Sequence, residues 1–261
     1  MAVTQGMLPS PQGAHTRSLS GLRLLITAGP TIEDLDPVRF ISNRSSGRMG
    51  IALARRAAAR GAAVLLIHGP LSVAVPRVPR LAAEPVRSAR EMYDAVLKVA
   101  GGADAAILCA AVADFTPARV RRHKIKKGGR KLLLELVPTP DILAALGRLR
   151  RKPFLVGFAA ETRNVIARAR AKLRRKNCDL ICANDVTARG SGFGSRTNRV
   201  TLIRRDGAVR PLPLMAKNRV ADVILDEVRK ALVESRPGAT SRLPKPARRS
   251  TIGLRRLVAP R

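Results

Sequence analysis

The sequence has no tryptophan, one tyrosine and five phenylalanines. Proteins that hold single-stranded nucleic acid stack bases on aromatic rings, and so few rings leave no stacking platform. Cysteine is as sparse: Cys109, Cys178 and Cys182 are an odd number, which excludes a disulfide framework of the secreted kind. Cys178 and Cys182 lie four apart with no second pair, a spacing that makes no zinc site, and all three are read as buried thiols. Long apolar runs are missing too. The longest, Ala105 to Ala113, sits between Asp104 and Asp114 and falls far short of the ~20 residues that cross a bilayer. The N-terminus lacks the charged-then-apolar plan of a signal peptide. These absences predict a soluble, cytoplasmic protein with no membrane partner.

Acidic residues are few: 18 Asp and Glu stand against 50 Lys and Arg, for a net charge of +32. Such a balance points to nucleic acid or another anionic surface. Only 11 of the 50 basic residues are lysine, however, and an Arg- and Ala-rich chain is what genome-wide base composition produces without selection for binding. A nucleic-acid partner is therefore disfavoured, while anionic substrates use part of the charge. With 46% hydrophobic residues in 261, the chain buries a core of one substantial domain and is not disordered throughout.

Residues 1–21 are Ser-, Gly-, Pro- and Gln-rich without periodicity and read as a flexible arm. Residues 235–261 carry eight Arg or Lys, four Pro and no acid, the composition of a disordered basic tail. Between them, over 22–234, strand and helix alternate. Strands are expected at Leu22 to Ala28, Ala62 to His68, Ala105 to Ala111, Phe154 to Phe158 and Asp179 to Ala183. Helices are expected at Gly50 to Arg60, Ser88 to Gly101 with Ser88 as cap, Asp141 to Arg151, Asn164 to Asn177 and Lys217 to Val233. Two hairpins are expected, one around Gly128-Gly129 within Lys124 to Val137, the other across Asp206-Gly207. The strands are apolar throughout, as a parallel sheet covered by helices requires. The expected fold is α/β: a doubly wound, Rossmann-like, mainly parallel sheet with helices on both faces and a hairpin or flap insertion, binding ligands at the carboxyl ends of its strands.

Those ends carry the chemistry. Gly29 opens no G-x-G-x-x-G and the second strand ends in His68-Gly69-Pro70, so a nicotinamide site is disfavoured. Ser45-Ser46-Gly47 leads into a helix whose first N–H groups are free. That is either a phosphate cradle or an ordinary Ser-capped helix. Asp114 holds a metal or nucleotide, or caps the turn before Pro117. The run Lys124-Ile125-Lys126-Lys127 is a solvated strand edge or a set of cations for phosphoryl oxygens. Lys172 and Lys176 share one helix face at i, i+4, turned to solvent or to a ligand. His68 and His123 have no carboxylate or nucleophile partner in sequence, and neither a P-loop nor H-E-x-x-H is present.

In order along the chain stand TAGPT, DPVRFISNRSSGRMG, AAVADFTPA, KIKK, LELVPTPDIL, LVGFAAET, KLRRKNCDLICANDV and GFGSRTNRVTLI. Through these motifs the sequence resembles the phosphopantothenoylcysteine synthetase family over about residues 22 to 233, with Ile32 and Asp34 standing where Arg and Pro are usual. The resemblance implies a ligase that joins 4′-phosphopantothenate to L-cysteine, turning CTP into CMP and pyrophosphate through an acyl-cytidylate. It implies Mg²⁺ bound largely through the triphosphate, a homodimer, and a mobile flap bearing KIKK. No flavin is expected in this chain, and the flavin-dependent decarboxylase is expected to be a separate protein.

Carried over position by position, the resemblance makes Lys124 a catalytic residue at the nucleotide phosphates. Asn43 holds the acyl-cytidylate for attack by cysteine, with Arg39, Ala111 and the Ser45, Ser46, Gly47 turn beside it. Leu108, Cys109, Ala110 and Asp114, then Pro140, Asp141, Ile142 and Leu143, then Phe158, Lys172 and Lys176 form the CTP site. No metal ligands are assigned.

Overall fold

A computed structural model of the chain describes residues 17–129, 131–185, 190–192 and 194–234. In chain order these form β1 (Arg23–Ala28), β2 (Ile32–Asp34), β3 (Phe40–Ser42), α1 (Arg48–Ala59), β4 (Ala63–His68), β5 (Leu81–Pro85) and α2 (Ala89–Ala100). Next come β6 (Ala105–Leu108), β7 (Phe115–Pro117), β8 (Leu136–Pro138), α3 (Ile142–Gly147), β9 (Phe154–Glu161), α4 (Val165–Arg175) and β10 (Leu180–Asp185). The chain continues through β11 (Thr197–Asn198), β12 (Val200–Arg204), β13 (Val209–Pro211), β14 (Met215–Ala216) and α5 (Lys217–Glu234).

Eight strands make the main sheet, in the order β13-β12-β10-β9-β6-β1-β4-β5. From β10 to β5 every pairing is parallel, and β12 and β13 add an antiparallel edge. The apolar runs explain this: β1 is buried at five of its six positions and β10 at its first four, so both faces need cover. One face packs on α1 and α5 through Leu53, Val220 and Ile224. The other packs on α2, α3 and α4 through Met92, Leu146 and Leu173. The sheet is doubly wound, as the sequence predicts. No helix among the described residues is long and apolar enough to cross a membrane.

Two expectations are corrected, and one strand is added. No hairpin forms about Gly128-Gly129 among the described residues. Instead β7 pairs antiparallel with β8, and the long segment 118–135, with KIKK inside it, hangs from that pair as the flap. The arm does not run to residue 21: Leu19 is fully buried, and its N–H donates to the Arg60 carbonyl at 2.8 Å. Arg60, itself buried, donates from Nε to Ser18 Oγ and from Nη2 to Asp226, so residues 17–21 belong to the packed body. Residues 1–16 and the tail 235–261 lie outside the described residues. β5 is the added strand. It is a mostly exposed edge strand between Pro79 and Pro85, where the sequence shows neither an apolar run nor alternation.

The remaining elements match to within a few residues, with two exceptions. β6 stops at Leu108, leaving 109–111 as the loop beyond a strand end. The 141–151 helix is cut to α3: Asp141 is its N-cap, accepting from the Ala144 N–H, and the helix ends at Gly147 with Arg148 as C-cap. Ser88 caps α2 the same way from the Glu91 N–H. The Asp206-Gly207 turn joins β12 to β13, with Gly207 at φ 92°.

Candidate functional site

Strand order reverses between β1 and β6. From β1 the chain winds outward to β4 and β5, and from β6 outward to β9 and β10. The loops leaving β1 and β6 therefore part in opposite directions and open a crevice at the carboxyl ends, where α/β sheets bind ligands. A cavity of about 1070 Å³ lies there.

Its floor is the segment after β6. Ala110 N–H donates to Thr27 Oγ1, Ala111 N–H to the Gly29 carbonyl and Ala113 N–H to Thr31 Oγ1, so 109–113 is stitched to the turn after β1. Thr139 Oγ1 closes the far side on the Ala113 carbonyl at 2.6 Å. Asn43, just past β3, donates from Nδ2 to the Val112 carbonyl at 2.8 Å and lies 3.4 Å from that of Ala111. Carbonyl oxygens only accept, so the amide nitrogen faces them and Oδ1 is left for the cavity.

One wall is the start of α1. Gly47 stands at the N-cap with φ 73°, and no side chain caps the helix. Neither Ser45 nor Ser46 caps the helix; Ser45 Oγ accepts the Gly47 N–H at 3.3 Å, and the start of α1 lines the cavity, where a helix dipole favours negative charge. Gly50 lets α1 approach: a Cβ there would sit 2.4 Å from that of Ala28.

The opposite wall is cationic. Lys172 donates from Nζ to the Phe158 carbonyl at 2.7 Å, and Lys176 pairs with Asp141. Burial pulls the Lys172 pKa below the ordinary lysine value, with Cys178, Glu161 and Asp114 opposing and Lys176 adding to the shift. Burial pushes the Asp141 carboxyl up, but the Lys176 ammonium and the Ala144 N–H outweigh it and hold it below the usual range. Neither lysine faces solvent alone; both line the cavity. Cys109 lines it too, its thiol pushed up to about 12 by burial. Cys178 and Cys182 are buried free thiols.

Of the residues singled out in the sequence, the structure gathers Asn43, Ser45, Ser46, Gly47, Leu108, Cys109, Ala110, Ala111 and Asp114 around this cavity. It adds Pro140, Asp141, Ile142, Leu143, Phe158, Lys172 and Lys176. Two are not brought there. Lys124 is exposed on the flap, and Arg39 is turned away onto the Ile125 carbonyl and Asp36. The reason is physical: both belong to the layer of short strands outside the main sheet, and Arg39 finds its acceptor and its counter-charge in that layer.

Sequence reasoning missed Arg48 and Lys217, which line the cavity from the first turns of α1 and α5. Lys217 is 9% exposed and donates to the Ser195 and Thr197 carbonyls at 2.6 and 3.0 Å. Arg48 Nε is buried without a hydrogen-bond partner among the described residues. A signal was available. Helix N-termini favour acids, yet neither helix has one in its first turn, and each opens on a cation. Asn184 and Asn198 also line the cavity, joined through Ser191, whose Oγ donates to Asn184 Oδ1 at 2.7 Å.

The fold and cavity define a doubly wound α/β protein with a crevice at its topological switch point, lined by a helix start and by cationic side chains. Residues 19–232 match the DNA/pantothenate metabolism flavoprotein C-terminal domain family, and the chain belongs to it. It is 51% identical over 212 residues to the coenzyme A biosynthesis bifunctional protein CoaBC of Bacillus subtilis, covering 80% of this chain and 52% of that one. The chain thus spans about half the length of the curated relative it matches. Among solved structures it is similar to the C-terminal domain of CoaBC, with 42% identity and a TM-score of 0.72 over 84% of this chain and all of that one. A Cab2 H337A mutant in complex with phosphopantothenate-cysteine shares the fold at 20% identity and a TM-score of 0.68, over 84% of this chain and 89% of that one.

Proposed function

We propose that this chain is a ligase of coenzyme A biosynthesis that joins 4′-phosphopantothenate to L-cysteine through an acyl-cytidylate. The observation that carries the reading is the cavity itself. A free helix N-terminus with Arg48 and Lys217 on one side, and Lys172 with Lys176 on the other, flank the loop that Asn43 braces. Two polyanions meet in this reaction, and cations at both ends of one crevice suit them.

In the first step a carboxylate oxygen of 4′-phosphopantothenate attacks the α-phosphorus of CTP and pyrophosphate leaves. In the second the cysteine amine attacks the acyl carbon, losing a proton, and CMP departs with the carboxylate oxygen. The Lys172–Lys176 end and the α3 cap at Asp141 hold the nucleotide. Asn43 presents the acyl carbon with Oδ1, and Lys124 on the flap supplies positive charge to the phosphates. The family name and the 42% identical CoaBC domain support this reading.

Mg²⁺ fits as a triphosphate-borne ion. No three His, Cys, Asp or Glu cluster among the described residues, whereas Mg²⁺ commonly uses one or two carboxylates plus substrate phosphates, and Asp114 offers one in the cavity. When bound, the ion neutralises charge on the leaving pyrophosphate. A homodimer belongs to the same reading, and exposed Phe115, Leu133, Leu136 and Val137 on the flap layer give it an apolar face. So do residues 17–234 as the working unit, a cytoplasmic location, and a separate decarboxylase as the consumer of the product.

The test is pyrophosphate release from 4′-phosphopantothenate with each of the four nucleoside triphosphates, with and without cysteine. CTP-dependent release, with amide formed only when cysteine is present, is the expected result; no release with any nucleotide refutes the reading.

A further inference from the structure

The turn joining β2 to β3 grips the flap at one residue. Ile125 donates its N–H to Asp36 Oδ2 at 3.0 Å, and its carbonyl accepts from the Arg39 guanidinium. Four residues earlier, the Arg121 N–H donates to the Leu35 carbonyl at 2.9 Å. Lys124 thus lies between two points where the flap is tied to residues 35–39.

The grip is more than the turn needs. Asp36 Oδ1 accepts from the Val38 and Arg39 N–H groups, both at 2.8 Å, which completes an Asx turn by itself. Its other oxygen reaches a residue 89 positions away in sequence. The Asp36 side chain is wholly buried, and a buried carboxylate is tolerated only where each oxygen is satisfied. The Ile125 N–H is the largest influence holding the Asp36 carboxyl below its ordinary range. Arg39 balances the charge at 3.5 Å while it takes the Ile125 carbonyl.

We propose that Asp36 and Arg39 are positioning residues for Lys124, fixing its backbone by clipping both polar groups of Ile125. The inference rests on the role given to Lys124 above. It also gives Arg39 a task within the chain: the clip fixes the backbone beside Lys124, whose exposed ammonium lies outside the cavity lining, and a flap free at that point would spread the ammonium over more positions, a positional loss that is costly in rate.

Asp36→Asn tests it. Keeping the amide oxygen on the Val38 and Arg39 N–H groups turns the amide nitrogen toward the Ile125 N–H, so the turn survives and the clip opens. Arg39→Gln opens the carbonyl side from a half-buried position. Each is measured alone and with Lys124→Gln. The expected result is that each single change slows pyrophosphate release about tenfold, yet adds no more than about twofold once Lys124 is glutamine, since residues acting through one another are not additive. Trypsin should cut after Lys124 several times faster in both variants, and no faster at sites outside the flap. Undiminished turnover in the single variants, or a tenfold loss that persists beside Lys124→Gln, overturns the proposal. Should the wild type release no pyrophosphate, the ligase reading fails on its own, and the proteolysis alone judges the clip: unchanged cleavage after Lys124 overturns it.

Discussion

The Lys172 ammonium donates to the Phe158 carbonyl at 2.7 Å, tying α4 to β9 across the cavity wall. A cation held by a neutral acceptor keeps its charge available to a ligand, and burial makes that charge sensitive to pH.

Because burial lowers the Lys172 pKa from 10.5, its proton is lost earlier on the alkaline side than an ordinary lysine's. Nucleotide affinity should fall as pH rises through that lowered value. Folding responds with the opposite sign: the unfolded chain binds this proton more tightly, so the Lys172 contribution to stability improves with rising pH until 10.5 is reached. Lys172→Arg keeps the charge at all these pH values and should push the alkaline fall in affinity upward. Titration of CTP binding against pH, for both proteins, decides it.

Gly50→Ala should destabilise the fold by about 1–3 kcal/mol, the usual cost of overpacking. The added Cβ meets the Ala28 Cβ at 2.4 Å and its Cα at 3.0 Å, and backbone cannot give as a flexible side chain does. A denaturant titration measures it; wild-type stability would show that α1 shifts freely over β1.

Trimming to residues 17–234 should leave turnover intact, while trimming to 22–234 should not leave stability intact. The second cut removes Leu19, whose full burial is worth about 1.5–3 kcal/mol, and strips Ser18 from buried Arg60. Comparing the two melting curves checks this, and equal curves would contradict it.

The main sheet was legible because its strands are apolar without alternation, and β1, β4, β6, β9 and β10 stand where those runs stand. The site was legible in part because its residues lie in or beyond the apolar strand runs: Leu108 ends β6, Cys109 to Ala111 and Asp114 follow it, and Phe158 lies within β9. What stayed hidden depends on tertiary contact. Leu19 looks like a stray apolar residue in a polar arm until Arg60 and α5 surround its neighbours. Arg39 reads as a substrate ligand in sequence, and only the packing of 35–39 on the flap shows where its guanidinium goes. Lys217 sits at a helix start, far in sequence from the motifs around Asn43 that share its cavity.

Asn43→Asp should separate the two half-reactions. The side-chain nitrogen now donates to the Val112 carbonyl; a carboxylate there faces two carbonyl oxygens with no donor between them. The group is repelled from the loop it braces, and the acyl carbon loses its support for the incoming amine. The first step leans on the cations and should slow less. Quenched single turnovers of the variant should show acyl-cytidylate and pyrophosphate accumulating with little amide. Equal slowing of both steps would make Asn43 a general structural residue.

In the proposed reaction the carboxylate is activated as a mixed anhydride with the nucleotide's α-phosphate. That activation is tested most directly with 4′-phosphopantothenate labelled with ¹⁸O in both carboxylate oxygens, turned over with CTP, Mg²⁺ and cysteine, and read by mass spectrometry of the products. One labelled oxygen should be found in each CMP, the other in the amide, and none in pyrophosphate. Unlabelled CMP, or label in pyrophosphate or inorganic phosphate, would contradict it.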